Sequence, residues 1–162
     1  MLPIRTILHP TDFSERSEDA FQAASSLARD HGARIVVVYV RAPAVMIGAF
    51  GELGPVVPDP VQTPADVKER LSALHVLDPA LEVEYRVAEG DPATEIVQQA
   101  RALAANLIVM GTHGRTGLGR LLRGSVAEVV LRRAPCPVLT LKAPLFVGAV
   151  ETTTAAREPA AV

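Results

Sequence analysis

The stretch from Gly111 to Ser125, GTHGRTGLGRLLRGS, places five glycines and three arginines in one short connection. Glycine lets successive backbone N–H groups turn toward a single anion and approach it closely, so the chemistry suggested is phosphate binding. Ser125 and Glu128 form an S-x-x-E capping box, so a helix starts at or beside Ser125, where free amides and the positive dipole end also favour an anion. Ser125 is thus read either as a helix N-cap alone or as a phosphate contact. Between Ile96 and Ala127 the chain has no Asp or Glu, while Arg101, Arg115, Arg120 and Arg123 fall there, so the local field is positive. His113, between Thr112 and Gly114, is placed either to hydrogen-bond phosphate or to face solvent. Gly114-x4-Gly119 is followed by Arg120-Leu121 instead of Lys-Ser/Thr, so this is no Walker loop, and no G-x-G-x-x-G string occurs.

Little else in the chain suggests reaction chemistry. His9, His31 and His75 lack partners at ligand spacing, so no metal site is expected. The single cysteine, Cys136, forms no internal disulfide and is read as a small hydrophobe at the start of an apolar strand. A formal net charge of −2 argues against a general nucleic-acid partner. The N-terminus has no secretory pattern, and no apolar run reaches membrane-spanning length, so a cytoplasmic protein without a membrane partner is expected.

The elements that must position the glycine-rich stretch alternate regularly. Ile4 to His9 reads as a strand ended by the turn Pro10-Thr11-Asp12, and Phe21, Ala24, Leu27 and Ala28 follow at helical spacing, closed by Gly32. Ile35 to Val40 is almost wholly apolar and β-branched, as suits a strand covered on both faces. Residues 41–64 are rich in Pro and Gly and read as an extended loop, either mobile or folded back over the domain. Val67, Leu71 and Leu74 mark a second helix, and Glu82 to Val87 a third strand. Asp91 as N-cap and Pro92 at the first helical position open a third helix, with Leu107 to Met110 as the next strand. Val126, Val129, Val130 and Ala134 give the last helix its apolar stripe, before a final strand over Pro137 to Lys142. Five strands alternating with four helices predict a single α/β domain over residues 1–142: an open five-stranded parallel sheet with helices on both faces, Rossmann-like. Residues 143–162 read as a disordered tail.

In such sheets ligands bind beyond the carboxyl ends of the strands, near the point where strand order reverses. Three segments lie there: Pro10-Thr11-Asp12, Val40-Arg41, and Gly111 onward. Asp12 has a second reading, as a cap of the following helix together with Glu15.

The spacing Gly111-x2-Gly114-x9-Gly124-Ser125, between Val109-Met110 and Val126, resembles the ATP-binding signature of the universal stress protein family. Ile7-Leu8-His9-Pro10-Thr11-Asp12-Phe13-Ser14 resembles that family's first strand and turn, and Pro135-Cys136-Pro137-Val138-Leu139 its last strand, so the likeness runs over roughly residues 3–142. The resemblance implies an adenine nucleotide alpha hydrolase-like sheet that binds ATP, with Mg2+. Asp12 would contact adenosine, Val40 would lie near the adenine and Gly111 near the ribose, while Gly114, Gly124, Ser125 and Val126 would bind phosphates. Pro10, Thr11, Met110, His113 and Arg123 complete the candidate set. It also implies a homodimer, here expected through Val138 to Leu141, and a stress-response role in which an unidentified protein partner reads the loop or dimer state. The alternatives are slow ATP hydrolysis or phosphoryl transfer, for which no Walker-B acid or kinase-like catalytic string is present, and an interaction subunit that binds no nucleotide.

Overall fold

The computed structural model describes residues 3–41, 61, 63–73, 80–112 and 126–142. In chain order these form β1 (Thr6–Thr11), α1 (Glu15–His31), β2 (Arg34–Arg41), α2 (Pro64–Ala73), β3 (Val83–Glu89), α3 (Pro92–Ala102), β4 (Leu107–Gly111), α4 (Val126–Arg133) and β5 (Val138–Leu141). All strands run parallel in the order β3-β2-β1-β4-β5. This is the expected five-stranded α/β sheet, and its order reverses between β1 and β4.

Alternation along the strands divides the core in two. Ile7, Ile35, Val37 and Val109 pack with Phe21, Ala24 and Ala28 of α1 and with Val67 and Leu71 of α2. Leu8, Val36, Val38, Ile108 and Met110 pack on the opposite face with Ile96, Val97 and Ala100 of α3 and Val130 of α4. The continuous apolar run of β2 follows from this two-sided cover: Ile35 to Val38 are fully buried, each contributing on the order of 1.5–3 kcal/mol by removal from water.

The helix termini follow the local signals. Ser14 caps α1, accepting from the Ser17 N–H, and Gly32 ends it in the left-handed conformation at φ 61°. The Asp91 carboxylate accepts from the Thr94 N–H at 2.9 Å ahead of Pro92, which opens α3 as expected. Among the described residues no helix is long and apolar enough to cross a membrane.

Boundaries at β1 and around residues 41–64 differ from expectation. β1 does not stop at His9: Pro10 and Thr11 continue it, paired with Val38 and Tyr39 of β2. A proline is tolerated because alternate residues of a strand address opposite neighbours, and Pro10 lacks a donor only toward β4. Of the residues expected in an extended loop over 41–64, Arg41 belongs to β2, Pro64 to α2, and Val61 is buried with core residues of α1 and α2. Residues 42–60 and 62, Leu74 and His75, and the tail from 143 lie outside the described residues.

Candidate functional site

The seam between β1 and β4 is made differently at its two ends. At the amino end Asn106 binds the strands together: its Oδ1 accepts from the N–H groups of Arg5 and Thr6, both at 2.9 Å, and its own N–H donates to the Thr6 carbonyl. Pairing then runs through Ile7↔Leu107 and Leu8↔Ile108 and stops, although β1 stays paired with β2 to Thr11 and β4 with β5 to Gly111. Pro10 is the cause. Ile108 donates to Pro137 beside β5, so the polar groups of Val109 face β1, where the next donor in the ladder would be the N–H of residue 10. Proline has none. The His9 ring takes its place, with Nδ1 2.9 Å from the Val109 carbonyl oxygen.

This arrangement makes Nδ1 the protonated nitrogen and leaves Nε2 an acceptor, buried and, among the described residues, without a hydrogen-bond partner. The ring is fully buried, 5.4 Å from that of Phe21. Burial lowers its pKa to about 4, against the upward pull of the Val109 bond and of the Asp12 charge. His9 is therefore neutral at physiological pH and holds a structural hydrogen bond.

Beyond Pro10 the chain turns tightly into α1. Thr11 is buried, and its hydroxyl oxygen accepts from the Phe13 N–H at 3.1 Å and the Ser17 hydroxyl at 2.9 Å. The Asp12 carboxylate accepts both the N–H of Ser14, at 3.0 Å, and its hydroxyl, at 2.6 Å. The capping reading of Asp12 is thus refined: Ser14 is the N-cap, and Asp12 holds Ser14 in place. Phe13 sits at φ 59°, a conformation that costs a bulky residue about 1–3 kcal/mol. The sequence assigned no role to Asn106, or to Phe13 beyond its place in the quoted motif, because the partners Thr6, Tyr39 and Arg70 are remote in sequence.

At the end of β4, Gly111 has a packing role. A Cβ there would lie 3.0 Å from the Arg16 carbonyl oxygen, so any side chain at 111 would press β4 and the first turn of α1 apart by a few tenths of an ångström. Met110 is buried among the α3 and α4 residues, so its side chain is a core element. Val40, on β2, packs half-buried against that same face, paired with Ala88. Parallel order thus gathers Pro10, Thr11, Asp12, Val40, Met110 and Gly111 along one edge of the sheet. Val126 stands exposed at the start of α4, which must begin on that edge to carry the chain back to parallel β5. His113, Gly114, Arg123, Gly124 and Ser125 lie outside the described residues.

The helix starts at this edge differ in charge. α1 begins with Glu15 and Glu18 behind Asp12, and α3 with the Asp91 cap and Glu95, so both repel phosphate. The one acid in the first turn of α4, Glu128, is paired with Arg132 at 2.6 Å, and arginines precede the helix in sequence. An anion thus fits α4 better than α1 or α3. Among the described residues no three His, Cys, Asp or Glu side chains gather as metal ligands. Cys136 is half-buried, and burial raises its thiol pKa, which disfavours the reactive thiolate.

Comparison with known proteins extends these observations. Residues 3–142 match the model of the universal stress protein family. The chain is 34% identical over 145 residues to a universal stress protein of Methanocaldococcus jannaschii, covering 86% of this chain and 83% of the relative. A universal stress protein solved in complex with cAMP superposes with a TM-score of 0.61 at 25% identity, over 85% of this chain and 96% of the other. One from Archaeoglobus fulgidus in complex with dAMP gives 0.57 at 25% identity, over 88% and 100%.

Proposed function

The chain belongs to the universal stress protein family, and on that premise we propose that it binds ATP, with Mg2+, at the carboxyl edge of its sheet. The observation that carries this reading is the complete Gly111-x2-Gly114-x9-Gly124-Ser125 spacing, which springs from the strand beside the reversal of order and leads into α4. The phosphates lie along Gly114, Gly124, Ser125 and Val126, with Arg123 and His113 beside them. The adenosine end lies toward Asp12 and Val40, near the main chain of Pro10, Thr11, Met110 and Gly111. Relatives solved with cAMP and dAMP support an adenine nucleotide as the ligand class.

In this reading the protein is a cytoplasmic stress-response binding module, a homodimer through β5, whose nucleotide state is read by a partner protein. The two sheet edges support β5 as the dimer face. On edge strand β3, Glu84 is held by Arg86 at 2.7 Å and Arg34 at 3.6 Å, whereas Leu139 on β5 is exposed. Charge discourages strand addition at the first edge, and an apolar side chain invites cover at the second.

Titration calorimetry of the full chain with ATP, AMP and inorganic phosphate, in Mg2+ buffer, tests the assignment. Saturable heat with ATP is expected. Folded protein that shows none at millimolar nucleotide would refute it and favour an interaction subunit.

A further inference from the structure

Phe13 has no part in the nucleotide reading above, yet it is tightly constrained at the sheet's carboxyl edge. Among the described residues only it and Ala104 are non-glycine residues at positive φ, and Ala104 lies just past the end of α3. Three elements hold Phe13 there. Its N–H donates to the Thr11 hydroxyl at 3.1 Å, its ring lies 5.2 Å from that of Tyr39 on β2, and the Arg70 guanidinium of α2 stands 4.6 Å over its centroid. Phe13 also packs half-buried against the α1 and α2 side of the core, which by itself does not call for a positive φ. A disfavoured backbone persists where its surroundings over-determine it, and such residues cluster at ligand clamps. The residue fixed between Thr11 and Phe13 is Asp12.

We propose that Phe13, clamped by Arg70 and Tyr39, is a positioning residue that holds the Thr11–Ser14 turn in shape for the adenosine end of the nucleotide. The inference rests on the ATP reading and extends it to α2: removing the Arg70 cation loosens Phe13, and with it the Asp12 backbone, without touching the phosphate loop. Lysine at position 70 retains a cation for the ring, and glutamine does not.

Calorimetry with ATP and AMP on full-length Phe13→Leu, Arg70→Gln and Arg70→Lys, together with thermal unfolding in the absence of nucleotide, tests it. Expected are affinities for both nucleotides weakened about tenfold in Phe13→Leu and about fivefold in Arg70→Gln. Arg70→Lys should stay within about twofold of the parent, and the Phe13→Leu/Arg70→Gln double variant should be no weaker than Phe13→Leu alone. Parental affinity in Arg70→Gln, or equal loss in Arg70→Lys and Arg70→Gln, overturns the positioning role while leaving the ATP reading intact. A parent that binds neither nucleotide overturns both. Because Arg70 is only part-buried and outside the core of α2, its variants report even if Phe13→Leu fails to fold.

Discussion

The His9 imidazole holds the carbonyl of Val109, 2.9 Å from Nδ1 to oxygen, where the backbone of Pro10 has no hydrogen to offer. One residue ends the β1–β4 ladder and its neighbour satisfies the acceptor left behind. The interruption falls where strand order reverses, the place at which open α/β sheets receive ligands.

Acid should weaken the fold through this ring. The unfolded chain takes up a proton on His9 below about pH 6.5, and the folded chain only near pH 4. The stabilisation is whole above the unfolded value and is lost as pH falls toward the folded one. Urea unfolding should show about 2 kcal/mol of this contribution gone near pH 5 relative to about pH 7.5. His9→Leu should be about 1–3 kcal/mol less stable at neutral pH, from the stranded Val109 carbonyl, with a shallower acid slope. An unchanged slope would assign the acid sensitivity to other groups.

Pro10→Ala should return the missing donor. We expect an alanine amide that exchanges slowly by NMR and a His9 Nδ1 proton that exchanges faster, as the two compete for Val109. Net stability should move by less than about 1 kcal/mol, because the added hydrogen bond offsets the greater freedom of the unfolded chain. ATP affinity should fall as the seam closes. Rapid exchange at position 10 would show that the strands part for another reason.

Gly111→Ala tests packing apart from ligand contact. The added Cβ meets the Arg16 backbone, which cannot rotate away, so about 1–3 kcal/mol of stability should be lost without any nucleotide present. A melting temperature equal to the parent's, with ATP binding impaired, would return Gly111 to a purely ligand-facing role.

Gly124→Val and Ser125→Ala separate the phosphate loop from the fold. Ser125→Ala should lose about 1 kcal/mol of stability as a cap and roughly ten- to a hundred-fold in ATP affinity as a phosphate contact. Gly124→Val should bind still more weakly, since a branched side chain blocks the backbone's approach. Two folded variants that bind ATP like the parent would move the phosphates elsewhere.

Leu139→Lys should convert a dimer into a monomer in light scattering, with circular dichroism unchanged, because a charge would be buried against the partner's edge. An unaltered mass would exclude β5 as the interface.

Much of the architecture was legible in local pattern, for physical reasons that differ by element. Ile35 to Val38 had to be covered on both faces, because four consecutive apolar side chains point alternately to each. Asp91-Pro92 could open a helix because the carboxylate reaches the Thr94 amide, and hydrogen bonds from the Thr94 hydroxyl and then its amide lower the Asp91 pKa. Such signals act over a few residues, and so survive in sequence. The Pro10 break misled for the same reason: proline removes one donor toward one neighbour, and the strand goes on here because its pairing with β2 does not use that donor, a relationship that local pattern does not record.

By itself the sequence determined the order and type of the elements, the glycine-rich connection with its helix start, and the absence of acids around it, all properties of neighbouring residues. Tertiary structure alone decided that β1 and β4 lie side by side, that Asn106 and His9 hold opposite ends of that seam, that Gly111 answers to Arg16, and that Arg70 covers Phe13. Each of these is a contact between residues far apart in the chain, where no period or spacing records which side chain will meet which. They exist only once burial of the two apolar faces has brought the strands into register.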